Sequence, residues 1–306
     1  MNSLNNEIKE YLIYCDTQKR LDEKTLKAYK IDLNQFLTKY NSYVINDVSP
    51  KVLEEYIGNL HKMYNPKTVK RKIASLKAFF HYLEYRETID KNPFNKIQLR
   101  FREPVILPKT IPLRTVEMFL STIYKERKNA KTEYKRKNAL RDIAVAELLF
   151  STGIRISELC NLKDSDVNLD DGMLLIYGKG DKERRIQISN ADVISILKEY
   201  RITFLSEIKQ ANHFFVNQNG TALSDQAIRR MINKYTDVAL IEQHITPHMF
   251  RHTFATSLLE ADVDIRYIQE MLGHSSINIT EIYTHVAVAK QGDILAAKHP
   301  RKNFKI

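Results

Sequence analysis

A run of helix-terminal signals between residues 246 and 283 constrains the fold of this chain most strongly. Thr246 followed by Pro247 is typical of a helix start, because threonine can cap the first turn and proline fits the first helical position. Asp264 can cap a second helix, and Gly273 suits the left-handed residue that often ends one. The stretch therefore predicts two helices joined by a turn, followed by a tight loop and a last helix.

Four side chains in this stretch occupy positions from which a rigid scaffold can direct them at a phosphate. His248 and Arg251 are three residues apart, so both should project from one face of the first helical turn. His274 follows on the predicted loop, and Tyr283 lies in the predicted last helix. Helix termini and loops commonly bind anions, so we treat these four residues as candidate functional residues.

Three further candidates precede this stretch. Gly153 is expected to end one helix, so that Arg155 begins the next helix with Glu158 one turn later. An arginine is costly to bury without a partner, and Glu158 is a suitable one for Arg155. The alternative to a functional role is that the two residues form a purely structural ion pair. Residues 173–189 predict a β-hairpin with Lys179 between two glycines at its tip, although a lysine at such a tip is also ordinary surface chemistry.

Residues 3–88 have the apolar periodicity of four helices. The fourth predicted helix, residues 66–87, carries five basic residues between its apolar positions: Lys67, Lys70, Arg71, Lys72 and Lys77. Such a helix can lie along a DNA groove. The alternative to DNA contact is that these basic side chains form an ordinary solvated face of the helix. The sequence pattern alone favours the solvated face.

Prolines interrupt the chain between residues 88 and 112, where no helical period is visible. Because proline blocks helix continuation and favours extended chain, we interpret this segment as a linker. The interpretation predicts two domains, residues 1–105 with the linker included and residues 106–306.

Basic residues outnumber acidic ones by 48 to 37, and both predicted domains are basic. This balance fits a polyanionic partner, but many soluble proteins share it. The excess of basic residues is strongest at residues 125–137, a segment that contains seven basic and two acidic residues. Such a run is usually a mobile, solvated loop, and DNA contact through Lys135, Arg136 and Lys137 is the less favoured hypothesis.

Cysteine usage and apolar runs suggest a cytoplasmic protein. Cys15 and Cys160 both lie in apolar helical patterns, which predicts reduced core residues rather than disulfides or metal ligands. The first residues lack the pattern of a signal peptide. No run of 18 apolar residues predicts a membrane span.

Five motifs in this order are shared with one family of enzymes: TGIRISEL at 152–159, GKGDKER at 178–184, HMFRHTFAT at 248–256, LGHSSINIT at 272–280 and IYTHV at 282–286. Weaker matches are TLKAYKIDL at 25–33, NPF at 92–94 and LPK at 107–109. On these residues the chain resembles the tyrosine recombinase (phage integrase) family, particularly its Xer-type members and the integrases of mobile elements. The resemblance covers nearly the whole chain, and the ordered set is far more specific than any single motif.

The resemblance implies a mainly α-helical protein with a small β-hairpin or sheet. A four-helix, SAM-like DNA-binding domain would precede an α+β catalytic domain of the tyrosine recombinase type, and the two would form a C-shaped clamp on double-stranded DNA. It also implies a cyclic tetramer on two DNA sites, formed by one protein or together with a related recombinase. The short apolar set Val286, Ile294 and Leu295 is too small for a core of its own and would dock on a neighbouring protomer.

The resemblance assigns phosphate binding to three side chains. Arg155 and Arg251 would hold the non-bridging oxygens of the scissile phosphate, and His274 would add a third hydrogen bond. Glu158 lies where the family often has a carboxylate that supports the first arginine.

The resemblance assigns the covalent chemistry to three others. Tyr283 would be the nucleophile, His248 would assist as a general base, and Lys179 would protonate the leaving 5′ oxygen. The expected intermediate is a 3′-phosphotyrosine, which conserves the bond energy, so neither ATP nor a metal or other cofactor is expected.

Two other classes of function stay open at this point. The chain could be a helical DNA-binding accessory or regulatory protein without chemistry, with the six residues in structural roles. It could also be a metal-dependent nuclease that uses its histidines.

Overall fold

The computed structural model describes residues 3–99, 109–178 and 182–273. The chain divides into two compact units, residues 1–106 and 107–306. Each unit has its own apolar core, and we describe each separately.

Four α-helices form the described part of the first unit: α1 Leu4–Thr17, α2 Glu23–Lys39, α3 Pro50–Met63 and α4 Pro66–Tyr85. The four predicted helices are therefore confirmed. Each begins with a side-chain oxygen that accepts a hydrogen bond from a backbone N–H of the first turn, supplied by Ser3, Asp22, Ser49 and Asn65. Tyr11, Phe36, Phe79 and Phe80 fill the space between the helices.

A buried ionic cluster joins α2 to α4. Asp32, almost fully buried, accepts hydrogen bonds from Lys72 Nζ at 3.0 Å and Ser75 Oγ at 2.9 Å, and it also pairs with Arg71. Lys72 Nζ donates to Gln35 Oε1 as well, at 2.5 Å. A buried carboxylate needs such partners, because an unpaired charge is costly to remove from water.

This cluster corrects the predicted basic surface of α4. Lys72 is buried, with its ammonium group directed into the unit rather than at solvent. The other four candidates on this helix are exposed: Lys67, Lys70, Arg71 and Lys77. The sequence pattern could not separate Lys72 from them, because its partner Asp32 lies on another helix.

Eight α-helices form most of the described part of the second unit: α5 Leu113–Lys128, α6 Glu133–Thr152, α7 Ile156–Asn161, α8 Ala191–Thr203, α9 Leu205–Ala211, α10 Asp225–Val238, α11 Pro247–Glu260 and α12 Ile265–Leu272. Helix α6 is apolar on most of its circumference because it packs against α5, α8 and α11. It is therefore the central helix of this unit.

The second unit also contains a three-stranded antiparallel sheet, with β1 Val167–Asn168, β2 Met173–Tyr177 and β3 Glu183–Gln187 in that order. Strands β2 and β3 form the predicted hairpin, with Leu174 paired to Ile186. Strand β1 was not predicted, since two residues carry too little pattern to detect. The hairpin tip, residues 179–181, lies outside the described residues.

The predicted solvated loop at residues 125–137 is wrong. Helix α5 continues to Lys128, and α6 begins at Glu133 with the Thr132 side chain as its cap. Charged side chains stabilise both helix ends through ion pairs, because Arg127 contacts Glu199 and Lys137 contacts Glu207. A dense run of charges here marks the exposed faces of two helices rather than irregular chain.

None of the helices described has both the length and the apolar character that crossing a bilayer requires.

Candidate active site

A left-handed glycine sets the position of the first candidate arginine. Gly153 ends α6 with φ 60°, and a β-carbon there would approach Phe254 Cδ1 to 2.6 Å. Glycine is thus required at position 153 because the backbone has a positive φ and because Phe254 leaves no room for a β-carbon. The turn places Arg155 at the start of α7, as the sequence predicted.

Glu158 lies between two arginines. Its Oε1 accepts from Arg155 Nη1 at 2.7 Å, and its Oε2 accepts from the Arg155 backbone N–H at 2.8 Å. Arg184 on β3 donates to the same carboxylate through Nη1 at 3.0 Å and Nη2 at 2.7 Å. Burial alone would raise the pKa of Glu158, but the hydrogen bonds from Arg184 and Arg155 outweigh it and hold this pKa below its usual value.

Arg251 is buried in the first turn of α11. Its Nη1 donates to the Gly153 carbonyl at 2.8 Å, and its Nη2 donates to the Leu272 carbonyl at 2.6 Å. Arg155 Nη2 lies 3.4 Å from the next carbonyl, that of Gly273. The two predicted phosphate-binding arginines therefore converge on one end of α12.

Caps fix both ends of α12. Asp264 accepts from the Arg266 N–H at 2.8 Å at the first turn, and Gly273 ends the helix with φ 63°. Both caps were predicted from the sequence. Because backbone carbonyls give a helix C-terminus a partial negative charge, this end suits the cationic side chains that surround it.

Two histidines lie on the first turns of α11. His248 is exposed, while His252 is half-buried. Burial lowers the pKa of His252, and the nearby His248 and Arg251 lower it further. The structure thus places His248 on the same helix turn as Arg251, as expected from their spacing.

Three candidates, Lys179, His274 and Tyr283, lie outside the described residues. Lys179 follows Gly178 at the end of the described hairpin strand, and His274 follows Gly273 in the chain. In the parts of the chain that the structure describes, no group of three or more His, Cys, Asp or Glu side chains could hold a metal ion.

Sequence reasoning missed Arg184. The signal was present, because Arg184 shares the inward face of β3 with the buried Ile186 two residues later. An arginine at an inward position of a strand implies a partner, here Glu158.

Comparison with known proteins decides the family. The model of the phage integrase family matches residues 120–290, which is more than half of the chain, and the model of the phage integrase N-terminal SAM-like domain matches residues 8–87. The chain belongs to the phage integrase family. The match at residues 120–290 includes both candidate arginines, Arg155 and Arg251.

Two relatives align with nearly the whole chain. A tyrosine recombinase of Agathobacter rectalis is 68% identical over 307 residues, which are 99% of each chain. Tyrosine recombinase XerD of Listeria innocua is 34% identical over 97% of this chain and 100% of the relative. The chain is therefore a tyrosine-type site-specific DNA recombinase, and a DNA-binding protein without chemistry is not favoured.

The fold agrees with a solved recombinase–DNA complex. XerH site-specific recombinase bound to palindromic difH substrate, in a post-cleavage complex, superposes with a TM-score of 0.71 and 26% identity. The match covers 89% of this chain and 80% of that one.

Proposed function

We propose that Arg155 and Arg251 bind the two non-bridging oxygens of one scissile phosphate. Their convergence at the end of α12 carries the proposal, since their guanidinium groups lie beside two successive carbonyls. Planar, permanently charged guanidinium groups match phosphate geometry. His274 is the next residue after Gly273, which supports its role as a third hydrogen-bond donor.

The proposed reaction begins with attack of the Tyr283 hydroxyl on the phosphorus. The new bond joins Tyr283 to the 3′-phosphate, while the bond to the 5′ oxygen breaks and Lys179 donates a proton to that oxygen. A free tyrosine has a pKa of about 10, so full ionisation at pH 7 would cost about 4 kcal/mol. His248 as a general base and the two arginines lower this cost. A different 5′-hydroxyl reverses the steps and rejoins the strands without ATP.

Each arginine contributes to the rate because charge develops on the phosphate oxygens. A preorganised donor in such a site typically accelerates the reaction by about 10²–10³-fold. Glu158 keeps Arg155 directed, since it accepts from both the side chain and the backbone of that residue. The buried Arg251 is held by two carbonyls and is therefore preorganised.

DNA contact outside the active site is proposed for the exposed residues Lys67, Lys70, Arg71 and Lys77 of α4. Lys72 is excluded because it is buried. We propose residues near 105 as the domain boundary, with both domains on the DNA.

Lys135 and Arg136 are weaker candidates for DNA contact. They lie in the first turn of α6, whereas Arg155 follows the last turn, and 20 residues at 1.5 Å each separate the two ends by about 30 Å. They could only contact a phosphate far from the one that is cut. Lys137 pairs with Glu207 and is less available than its neighbours.

We propose that recombination occurs in the cytoplasm in a tetramer, formed by this chain alone or with a related recombinase. Residues 286, 294 and 295 form the apolar set expected to dock on the neighbouring protomer.

Covalent capture tests the proposed function. The full chain is incubated with nicked DNA duplexes of randomised sequence and with duplexes from beside its gene, with and without EDTA, and adducts are isolated under denaturing conditions. We expect an adduct that survives EDTA and disappears in Tyr283→Phe. Nicking only with a divalent metal would indicate a nuclease, and sequence-specific binding without any adduct would indicate a non-catalytic DNA-binding protein.

A further inference from the structure

Arg184 is engaged on all three of its guanidinium nitrogens. Its Nη1 and Nη2 donate to the Glu158 carboxylate at 3.0 and 2.7 Å, and its Nε donates to the Met271 carbonyl at 2.8 Å. Its side chain is only 9% exposed. All three nitrogens of this arginine therefore already have acceptors within the protein.

The partners of Arg184 adjoin the proposed phosphate site. The two carbonyls that follow Met271, those of Leu272 and Gly273, accept from Arg251 and Arg155. Three successive carbonyls at the end of α12 thus contact three different arginines. Only Arg184 among them comes from the sheet.

The backbone at Gly273 lies directly against Arg184. A β-carbon at Gly273 would be 3.0 Å from both Cδ and Nη1 of Arg184, which is closer than ordinary contact. The positive φ of 63° adds a second reason for glycine. The arginine side chain and the turn before His274 therefore fit together closely.

We propose that Arg184 is a positioning residue for strand cleavage. It directs Arg155 through their shared partner Glu158, and it holds the end of α12 from which the chain continues to His274. It does so without touching DNA. The proposal rests on the proposed roles of Arg155 and Arg251.

The geometry of the guanidinium group is essential to this role. Arg184 bridges a carboxylate and a carbonyl at the same time, which needs a planar fork with several fixed donors. A lysine at this position would keep the positive charge beside Glu158 but would offer one compact ammonium group. Arg184→Lys should therefore fail to restore the function.

Loss of Arg184 would also change the electrostatics around Glu158. The buried carboxylate would keep a single arginine partner, so Arg155 would be held more tightly by Glu158 and less by the phosphate. The effect should depend on the negative charge of the scissile phosphate. A methylphosphonate, in which one non-bridging oxygen is replaced by methyl, removes that charge.

The test compares Arg184→Met with wild type on two nicked duplexes that differ only in a phosphate or a methylphosphonate at the cut position. The duplex sequence is one recovered with wild type by covalent capture. Arg185→Met is the matched control, because Arg185 is exposed on the same strand. Single-turnover adduct formation, DNA affinity and thermal unfolding are measured for each protein.

On the phosphate duplex we expect Arg184→Met to form adduct about 10–100-fold more slowly than wild type, as is typical when a supporting partner of a functional group is lost. Its rate relative to wild type should recover to within about threefold on the methylphosphonate, whose linkage is uncharged before attack and whose transition state carries one negative charge fewer for Arg155 to neutralise. The DNA affinity of Arg184→Met should stay close to that of wild type. The control Arg185→Met should form adduct at nearly the wild-type rate. Arg184→Lys should remain slow.

Equal slowing of Arg184→Met on both duplexes, full activity on the phosphate duplex, or full rescue by lysine would each overturn the proposal. If Arg184→Met unfolds at the assay temperature, adduct formation by Arg184→Lys on the phosphate and methylphosphonate duplexes tests the proposal instead. Absence of adduct with wild type would instead contradict the proposed function, so the two failures are distinguishable.

Discussion

Arg155 and Arg251 reach the same end of α12 from two different helices, with Nη2 of Arg155 3.4 Å from the Gly273 carbonyl and Nη2 of Arg251 2.6 Å from the Leu272 carbonyl. Residues far apart in sequence thus supply two adjacent cations. The Gly153 turn contributes to both, because it precedes Arg155 and its carbonyl accepts from Arg251. This arrangement brings two guanidinium groups to the place where we propose that one phosphate binds.

Replacing Arg251 should impair both stability and activity. Arg251→Met leaves the buried Gly153 and Leu272 carbonyls without a donor, and we expect a loss of about 1–3 kcal/mol in the free energy of unfolding. Adduct formation should fall by about 10²–10³-fold. Urea denaturation and single-turnover cleavage measure the two effects. The exposed Arg230→Met on α10 is the control, and an Arg251→Met protein with wild-type cleavage would contradict the assignment.

The contribution of Glu158 to stability should depend on pH. Its pKa in the folded protein lies below the ordinary value because the hydrogen bonds from Arg184 and Arg155 outweigh burial. The stabilisation is therefore complete above the unfolded-state pKa of about 4.3 and is lost as the pH falls through the folded-state pKa.

Urea denaturation of wild type and Glu158→Gln between about pH 3 and 7 tests this expectation. The difference in unfolding free energy should be largest above about pH 5 and should shrink toward acid. A difference that is constant with pH would show that the charge of Glu158 is not what stabilises the site.

Two lysines on α4 should behave differently. Lys67 is exposed, so Lys67→Ala should weaken DNA binding and reduce the slope of log affinity against log salt by about 0.9 if it contacts a phosphate. Lys72→Met should leave that slope unchanged but lower the stability, because Asp32 then loses a buried partner. Binding at several salt concentrations and thermal unfolding separate the two. A changed slope in Lys72→Met would contradict its assignment to the core.

Truncation should separate cleavage from synapsis. A chain that ends before Gly292 lacks residues 294 and 295 of the apolar set, so it should still form adduct on a single site. Pairing of two sites and complete recombination should be impaired. Native gels and a two-site recombination assay measure these steps, and full recombination by the truncated chain would refute the docking of this segment.

Local signals predicted the parts of the site that depend on neighbours in sequence. Gly153, Asp264 and Gly273 each end or begin a helix as expected, because caps and left-handed turns are set by a few adjacent residues. Arg155 and Glu158 pair as expected for the same reason.

Interactions between distant residues could not be predicted in this way. Arg184 contacts Glu158 and Met271, which are 26 and 87 positions away, and Lys72 contacts Asp32 at 40 positions. The helices at residues 125–137 were misread because exposed helix faces and solvated loops have the same charged composition. In each case the tertiary partner decides whether a basic side chain is functional, structural or solvated.

The contacts of a single phosphate test the central claim most directly. A structure of Tyr283→Phe bound to a nicked duplex, with a sequence that wild type recovered by covalent capture, would give the distances from the scissile phosphate to both guanidinium groups. We predict that Arg155 and Arg251 each donate to a non-bridging oxygen of that phosphate at about 2.7–2.9 Å. Contacts to two different phosphates, or no contact from either arginine, would contradict the account.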